Sequence, residues 1–187
     1  PGPGALVIGA GGGRDVLSAL TLGATSVVAV DINKDILRTV NGRFGDFTGH
    51  LDRDPRVRFV NDEARSYIAR QQERFDMIQI SLIDTWAATA AGGFVLTENS
   101  LYTAEAWTLF LDRLTPSGVL AVSRYHFRSR PDETYRLTAL ANAHRGELGR
   151  RQGHVCRQDF LHGLGLLEGE AAGEHLEEDD ADAVEVA

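Results

Sequence analysis

Apolar residues in this chain fall in short unbroken runs separated by amphipathic stretches, rather than alternating with polar ones. The runs predict strands over 5–9, 26–31, 57–61, 76–81 and 119–124. Between them, apolar positions recur at helical spacing. Val16, Leu17 and Leu20 mark a helix over 14–22 that Gly23 stops, and Ile36, Leu37 and Val40 mark one behind a cap at Asn33. Ala64, Tyr67 and Ile68 mark a third over 63–71, and a fourth covers 103–114, ended by a turn at Pro116-Ser117-Gly118. Residues 41–55 read as loop or broken helix. Strands that are apolar along their whole length are buried on both faces, which predicts a parallel sheet with helices on each side: a doubly wound α/β fold. Beyond Tyr125 the pattern weakens to a helical stretch over 133–148 and at most one short strand within 154–167, so the sheet reads as incomplete at its C-terminal strands.

Right-handed crossovers bring the C-terminal ends of all parallel strands to one edge, where ligands of open α/β sheets bind. Here five such ends turn polar or glycine-rich: Gly9 to Gly13, Asp31, Asn61-Asp62, Ser81 to Asp84, and Tyr125. The first is a glycine loop in which Gly9, Gly11 and Gly13 let backbone approach a ligand without a Cβ in the way. A dinucleotide fingerprint needs a small residue at the sixth position from Gly9, and Arg14 stands there. The tighter spacing fits a loop that holds S-adenosylmethionine or a relative. Asp31, 22 positions after Gly9, ends the second strand and is placed to accept from both hydroxyls of a ribose.

Asp62, after the third strand, is placed to accept from an adenine amino group, with Glu63 as an alternative ligand-facing acid. A plain helix N-cap is the other reading for this pair. Asp15 in the first turn of its helix is explained as well by the helix dipole as by a ligand amine. Asp84 is a candidate general base, or a cap for the stretch that follows. The segment 82–102 is long and apolar for a connection. Trp86 and Tyr102 within it are expected to line a substrate pocket, with Gly92-Gly93 as the hinge of a lid; an extra helix packed on the sheet is the alternative.

The 187 residues suffice for one domain with a substantial core. The formal charge of −8 is concentrated at one end: residues 168–187 hold nine acids and no Lys or Arg, leaving the remainder near neutrality. The fold is therefore assigned to 1–165 and the acidic stretch 166–187 to a solvated tail, and no nucleic-acid partner is expected. A single cysteine, Cys156, excludes an internal disulfide and suits a reducing compartment. No apolar run approaches the ~20 residues that cross a bilayer, so a cytoplasmic location, or the cytosolic face of a membrane, is expected. The six scattered histidines give no metal-ligand spacing, and no metal is expected. The first residue is Pro1, which leaves room for an upstream region.

Taken together, LVIGAGGG, VVAVDIN, DPRVRFVNDEARSYI, RFDMIQIS and LTENSLYTAEAWTLFLDRLTPSGVLAVS resemble the spermidine synthase-like (polyamine aminopropyltransferase) branch of the class I, Rossmann-like methyltransferase fold, over Ala5 to Arg124. The resemblance implies a transferase that moves an aminopropyl group from decarboxylated S-adenosylmethionine to a small-molecule amine. It assigns Gly9, Gly11, Gly13, Asp31 and Asp62 to the donor and matches Asp84 to a catalytic acid; Ser81, at the end of the fourth strand, is expected to line the donor site as well. It also implies a homodimer, and an upstream region like the membrane part that precedes this domain in some relatives. Two positions depart from the family. Its glycine loop carries an Asp where this chain has Gly12, and its fourth strand ends in an Asp where this chain has Ser81. Thr85 further replaces the proline that usually follows the second acid. A neutral Ser81 holds no cationic amine and takes no proton efficiently. The departures leave two alternatives: a methyltransferase using S-adenosylmethionine, and a nucleoside-binding domain without catalysis.

Overall fold

The computed structural model describes residues 2–83, 100–127, 135–144 and 181–186. Five parallel strands form the sheet: β1 (Gly4–Ile8), β2 (Ser26–Asp31), β3 (Val57–Asn61), β4 (Phe75–Ser81) and β5 (Leu114–Phe127). A sixth, β6 (Ala181–Val186), pairs antiparallel with β5 and gives the order β3-β2-β1-β4-β5-β6. The chain winds outward from β1 to β3, then returns to β4 on the other side. The topological switch point therefore lies between β1 and β4.

Side chains on successive residues of β1 point to opposite faces, and both faces are buried. Leu6 and Ile8 join Val28, Val30, Ile78 and Ile80 under α4 (Ala64–Arg70) and α5 (Ala104–Asp112), where Tyr67, Ile68, Trp107 and Phe110 complete the larger core. Ala5 and Val7 join Val27 and Ala29 under α1 (Arg14–Thr21), which contributes Val16, Ala19 and Leu20. This double burial is why the strands are apolar throughout. Asn33 caps α2 (Lys34–Arg38) by accepting from the N–H groups of Asp35 and Ile36. The broken helix expected over 41–55 is a π turn (Thr39–Arg43), a short α3 (Gly45–Thr48) and a 3₁₀ turn (Leu51–Arg53). A further helix, α6, covers 135–144.

Two elements differ from the sequence expectation. Pro116-Ser117-Gly118 does not separate α5 from β5. The strand begins at Leu114 and absorbs these residues as an irregularity, since Phe75 is opposite Leu114 while Met77 is opposite Val119. A Cβ on Gly118 would lie 2.8 Å from the carbonyl oxygen of Phe75, so only glycine lets the two strands close up there. Second, the segment Ala181–Val186 of the acidic stretch is a sheet strand, where a solvated end was expected. Among the described residues, no helix is long and apolar enough to cross a membrane.

Candidate functional site

A cavity of about 460 Å3 opens at the C-terminal ends of β1, β2, β3 and β4, against the switch point. The glycine loop forms one wall. Gly9 donates its N–H to the carbonyl of Val30 at 2.9 Å, which folds the loop over the tip of β2. Its φ is +80°, and a Cβ there would lie 2.4 Å from Cγ2 of Ile83. Both conditions require glycine. Gly9 and Gly11 are in the wall, together with Gly12, while Gly13 sits behind it as the residue that starts α1.

Asp31 lines the cavity and is only 8% exposed. Its Oδ2 accepts from the Gly11 N–H at 3.0 Å and its Oδ1 from the Asn33 N–H at 2.8 Å. The carboxylate is thus held between the glycine loop and the cap of α2. Among the described residues each oxygen accepts this one bond, so the carboxylate can offer two acceptors in fixed positions to two adjacent hydroxyls. The amide of Asn61 donates to the carbonyls of Asp31 and Ile32, tying β3 to the tip of β2.

Asp62 and Glu63 both line the cavity, and the structure separates their roles. Glu63 is the cap of α4, accepting from the N–H groups of Arg65 and Ser66 at 2.9 and 2.8 Å. Burial pushes the Glu63 carboxyl up, but the bonds from Ser66 and Arg65 outweigh it and hold the group below the usual range. Asp62 accepts from the Glu63 N–H at 2.9 Å and pairs with Arg70 in the last turn of α4. Arg70 carries no signal of its own in the sequence, because its role depends on the helix folding back to the strand end.

Ser81 is buried at the end of β4, where its hydroxyl accepts from the Gln79 amide. Leu82 follows with φ +45°, an uncommon conformation for a leucine, and turns the chain across the cavity. Tyr102 is packed in the larger core, with 6% exposure, and its neighbour Leu101 lines the cavity instead. Asp84 and Trp86, with the expected lid, lie outside the described residues. Apolar side chains of Ile8, Val30, Ile32, Ile36 and Leu101 complete the wall and suit a flat ring. Among the described residues, no group of three His, Cys, Asp or Glu side chains is placed to hold a metal ion.

No protein-family model matches the chain. It is 26% identical over 137 residues to polyamine aminopropyltransferase 2 of Pseudomonas aeruginosa, covering 72% of this chain and 37% of that protein. A polyamine aminopropyltransferase of Corynebacterium efficiens is 26% identical over 142 residues, 74% of this chain and 26% of that protein. The chain thus spans between a quarter and two-fifths of the length of these relatives. Among solved structures, spermidine synthase from Thermotoga maritima superposes with a TM-score of 0.58 at 20% identity, over 79% of this chain and 46% of that one. Human methyltransferase-like protein 13 in complex with SAH gives 0.57 at 17%, over 76% and 63%. The architecture is the class I methyltransferase fold, and the sequence is similar to polyamine aminopropyltransferases.

Proposed function

We propose that this chain, built on the class I methyltransferase fold, binds the adenosine half of an S-adenosyl sulfonium and serves a transferase that moves a group from it to a small amine. The observation that carries the reading is the Asp31 carboxylate, buried in the cavity wall with each oxygen oriented, among the described residues, by one backbone N–H. In the transfer, the acceptor's lone pair attacks a carbon bonded to the sulfonium. The carbon–sulfur bond breaks, its electrons stay on sulfur as a neutral thioether, and the acceptor loses its proton to a base. Such a displacement needs chiefly alignment of donor and acceptor. Asp84, three residues beyond Ser81, is the proposed base.

Two finer readings differ in the donor's tail. The names of the relatives favour aminopropyl transfer from decarboxylated S-adenosylmethionine. Methyl transfer from S-adenosylmethionine is favoured by Gly12 and Ser81, which bring no carboxylate to the tail of the donor.

Calorimetry with S-adenosylmethionine, its decarboxylated form and 5′-methylthioadenosine tests the site. Asp31→Ala should abolish binding of all three, and unchanged affinity removes the assignment. Asp84→Asn should lower amine transfer at least tenfold, as expected for loss of a positioned base; retained turnover would show that the proton leaves by another route.

A further inference from the structure

The strand order sets out the walls of the cavity in sequence. β3 brings Asp62 and Glu63, β2 brings Asp31, β1 brings the glycine loop, and β4 brings Ser81, Leu82 and Ile83. Adjacent strands stand about 4.8 Å apart, so three spacings separate the β3 and β4 ends by roughly 14 Å. Charge is divided unevenly between these ends. The carboxylates of Asp31, Asp62 and Glu63 all belong to the β2 and β3 side. On the β4 side Ser81 is neutral, and Leu82 and Ile83 are apolar and half-buried. Leu101 lines the cavity as well and shares a packed cluster with Ile83. This apolar end is fixed by the backbone. The Leu82 N–H donates to the Ser123 carbonyl at 3.0 Å, and a φ of +45° at Leu82 turns the chain so that Ile83 lies against Gly9. Among the described residues, β4 and the two residues after it bring no carboxylate to the cavity. The remaining acid of the wall, Asp15 on α1, is already joined by the Arg14 guanidinium at 3.0 Å.

We propose that the acceptor is a monoamine with an apolar body, and not a polyamine. The inference rests on the adenosine reading above and extends it to the class of the second substrate. With the ribose on Asp31 and the base toward Asp62, the sulfonium and the carbon under attack lie toward β1 and β4. The acceptor then approaches along Leu82, Ile83 and Leu101. Its nitrogen lone pair forms the new bond to carbon, the carbon–sulfur electrons stay on sulfur, and the nitrogen's proton passes to the proposed base Asp84. That acid serves the one reacting nitrogen. A diamine carries a second ammonium, which would shed its water against this wall without a counter-charge. Arg14, in the same cavity, adds repulsion for a second cation. An alkyl or aryl group in that place instead buries apolar surface against the three side chains. Leu82 and Ile83 are then specificity-determining residues, although neither carries a polar side chain.

The test is calorimetry on the 187-residue chain saturated with 5′-methylthioadenosine and titrated with two amines, n-pentylamine and 1,4-diaminobutane. The two are matched in length and differ at one end, a methyl in the first and an ammonium in the second. The unmodified chain should bind pentylamine about tenfold tighter or more. Leu82→Asp puts a carboxylate into the apolar wall with a residue type that tolerates the left-handed backbone, and it should reverse the preference. Equal binding of the two amines, tighter binding of diaminobutane, or no binding of pentylamine by the unmodified chain overturns the proposal and leaves the adenosine site standing. A Leu82→Asp variant that still takes up 5′-methylthioadenosine and keeps the parent's preference overturns it as well. If that variant does not fold, the two amines on the unmodified chain decide. Failure of 5′-methylthioadenosine to bind the unmodified chain removes the adenosine site itself, and the acceptor assignment with it.

Discussion

Two neighbouring glycines show how differently one residue type is used at the site. Gly9 combines φ +80° with a wall, since Ile83 stands 2.4 Å from where its Cβ would be. At Gly12 the added Cβ meets nothing within 4 Å and the backbone is not left-handed. Gly9→Ala should therefore destabilise the chain by about 1–3 kcal/mol, through backbone strain and overpacking. Gly12→Ala should stay within about 0.5 kcal/mol of the parent, like most changes away from such features. Urea denaturation of both variants checks the contrast; equal losses would mean the loop is not held as described. The same pair marks how far single residues could be read from sequence. The spacing from Gly9 to Asp31 placed the loop and the acid at the cavity, because both follow from where strands end. It could not say that Gly13 stands outside the cavity wall, nor that Glu63 rather than Asp62 caps α4. Those depend on side-chain directions that neighbouring acids do not distinguish. Tyr102 was misplaced for a related reason: an aromatic beside a site is as apt to fill the core, and here Trp107 and Phe110 take it in.

Elements were legible where local pattern and burial agree. The cap at Asn33 stands where the sequence puts it, whereas the buried stripe of α1 is Val16, Ala19 and Leu20, with Leu17 turned outward and 55% exposed. Turn chemistry misled at Pro116-Ser117-Gly118, because β5 has enough partners on β4 to carry three awkward residues as a bulge. β6 was hidden by its surroundings: its six residues lie in a stretch with nine acids, and its partner is a distant strand. At this scale the sharpest prediction concerns α4. The Glu63 side chain satisfies two N–H groups of its first turn, so Glu63→Ala should cost about 1 kcal/mol. Because Arg70 on the same helix pairs with Asp62, loosening α4 should also weaken adenosine binding modestly. Chemical denaturation beside calorimetry reads both, and a variant of unchanged stability would show that the cap is dispensable.

For the molecule as a whole, one acid adds side-chain bonds to the backbone ladders at the far end of the sheet. Asp76 accepts from the Gly4 N–H on β1 at 2.8 Å and from the Thr115 hydroxyl on β5 at 2.8 Å, so it ties three neighbouring strands at the end away from the site. Those two bonds hold its carboxyl below the ordinary 3.8. Asp54, gripped by the Arg56 guanidinium, is lowered further, to about 2. Glu63 is lowered as well, from 4.5. A carboxyl with a depressed folded value stabilises the fold above its ordinary value and loses that contribution as pH falls through the folded one. The urea midpoint should accordingly be flat from neutral pH down to about 5 and then fall as pH drops through the carboxylate range. Asp76→Asn offers an oxygen to only one of its two donors. It should lower stability at pH 7 by about 1–3 kcal/mol and flatten the acid limb, since one of the groups that titrates there is gone. If the variant lost stability at neutral pH yet kept the full acid dependence, the limb would belong to other carboxylates.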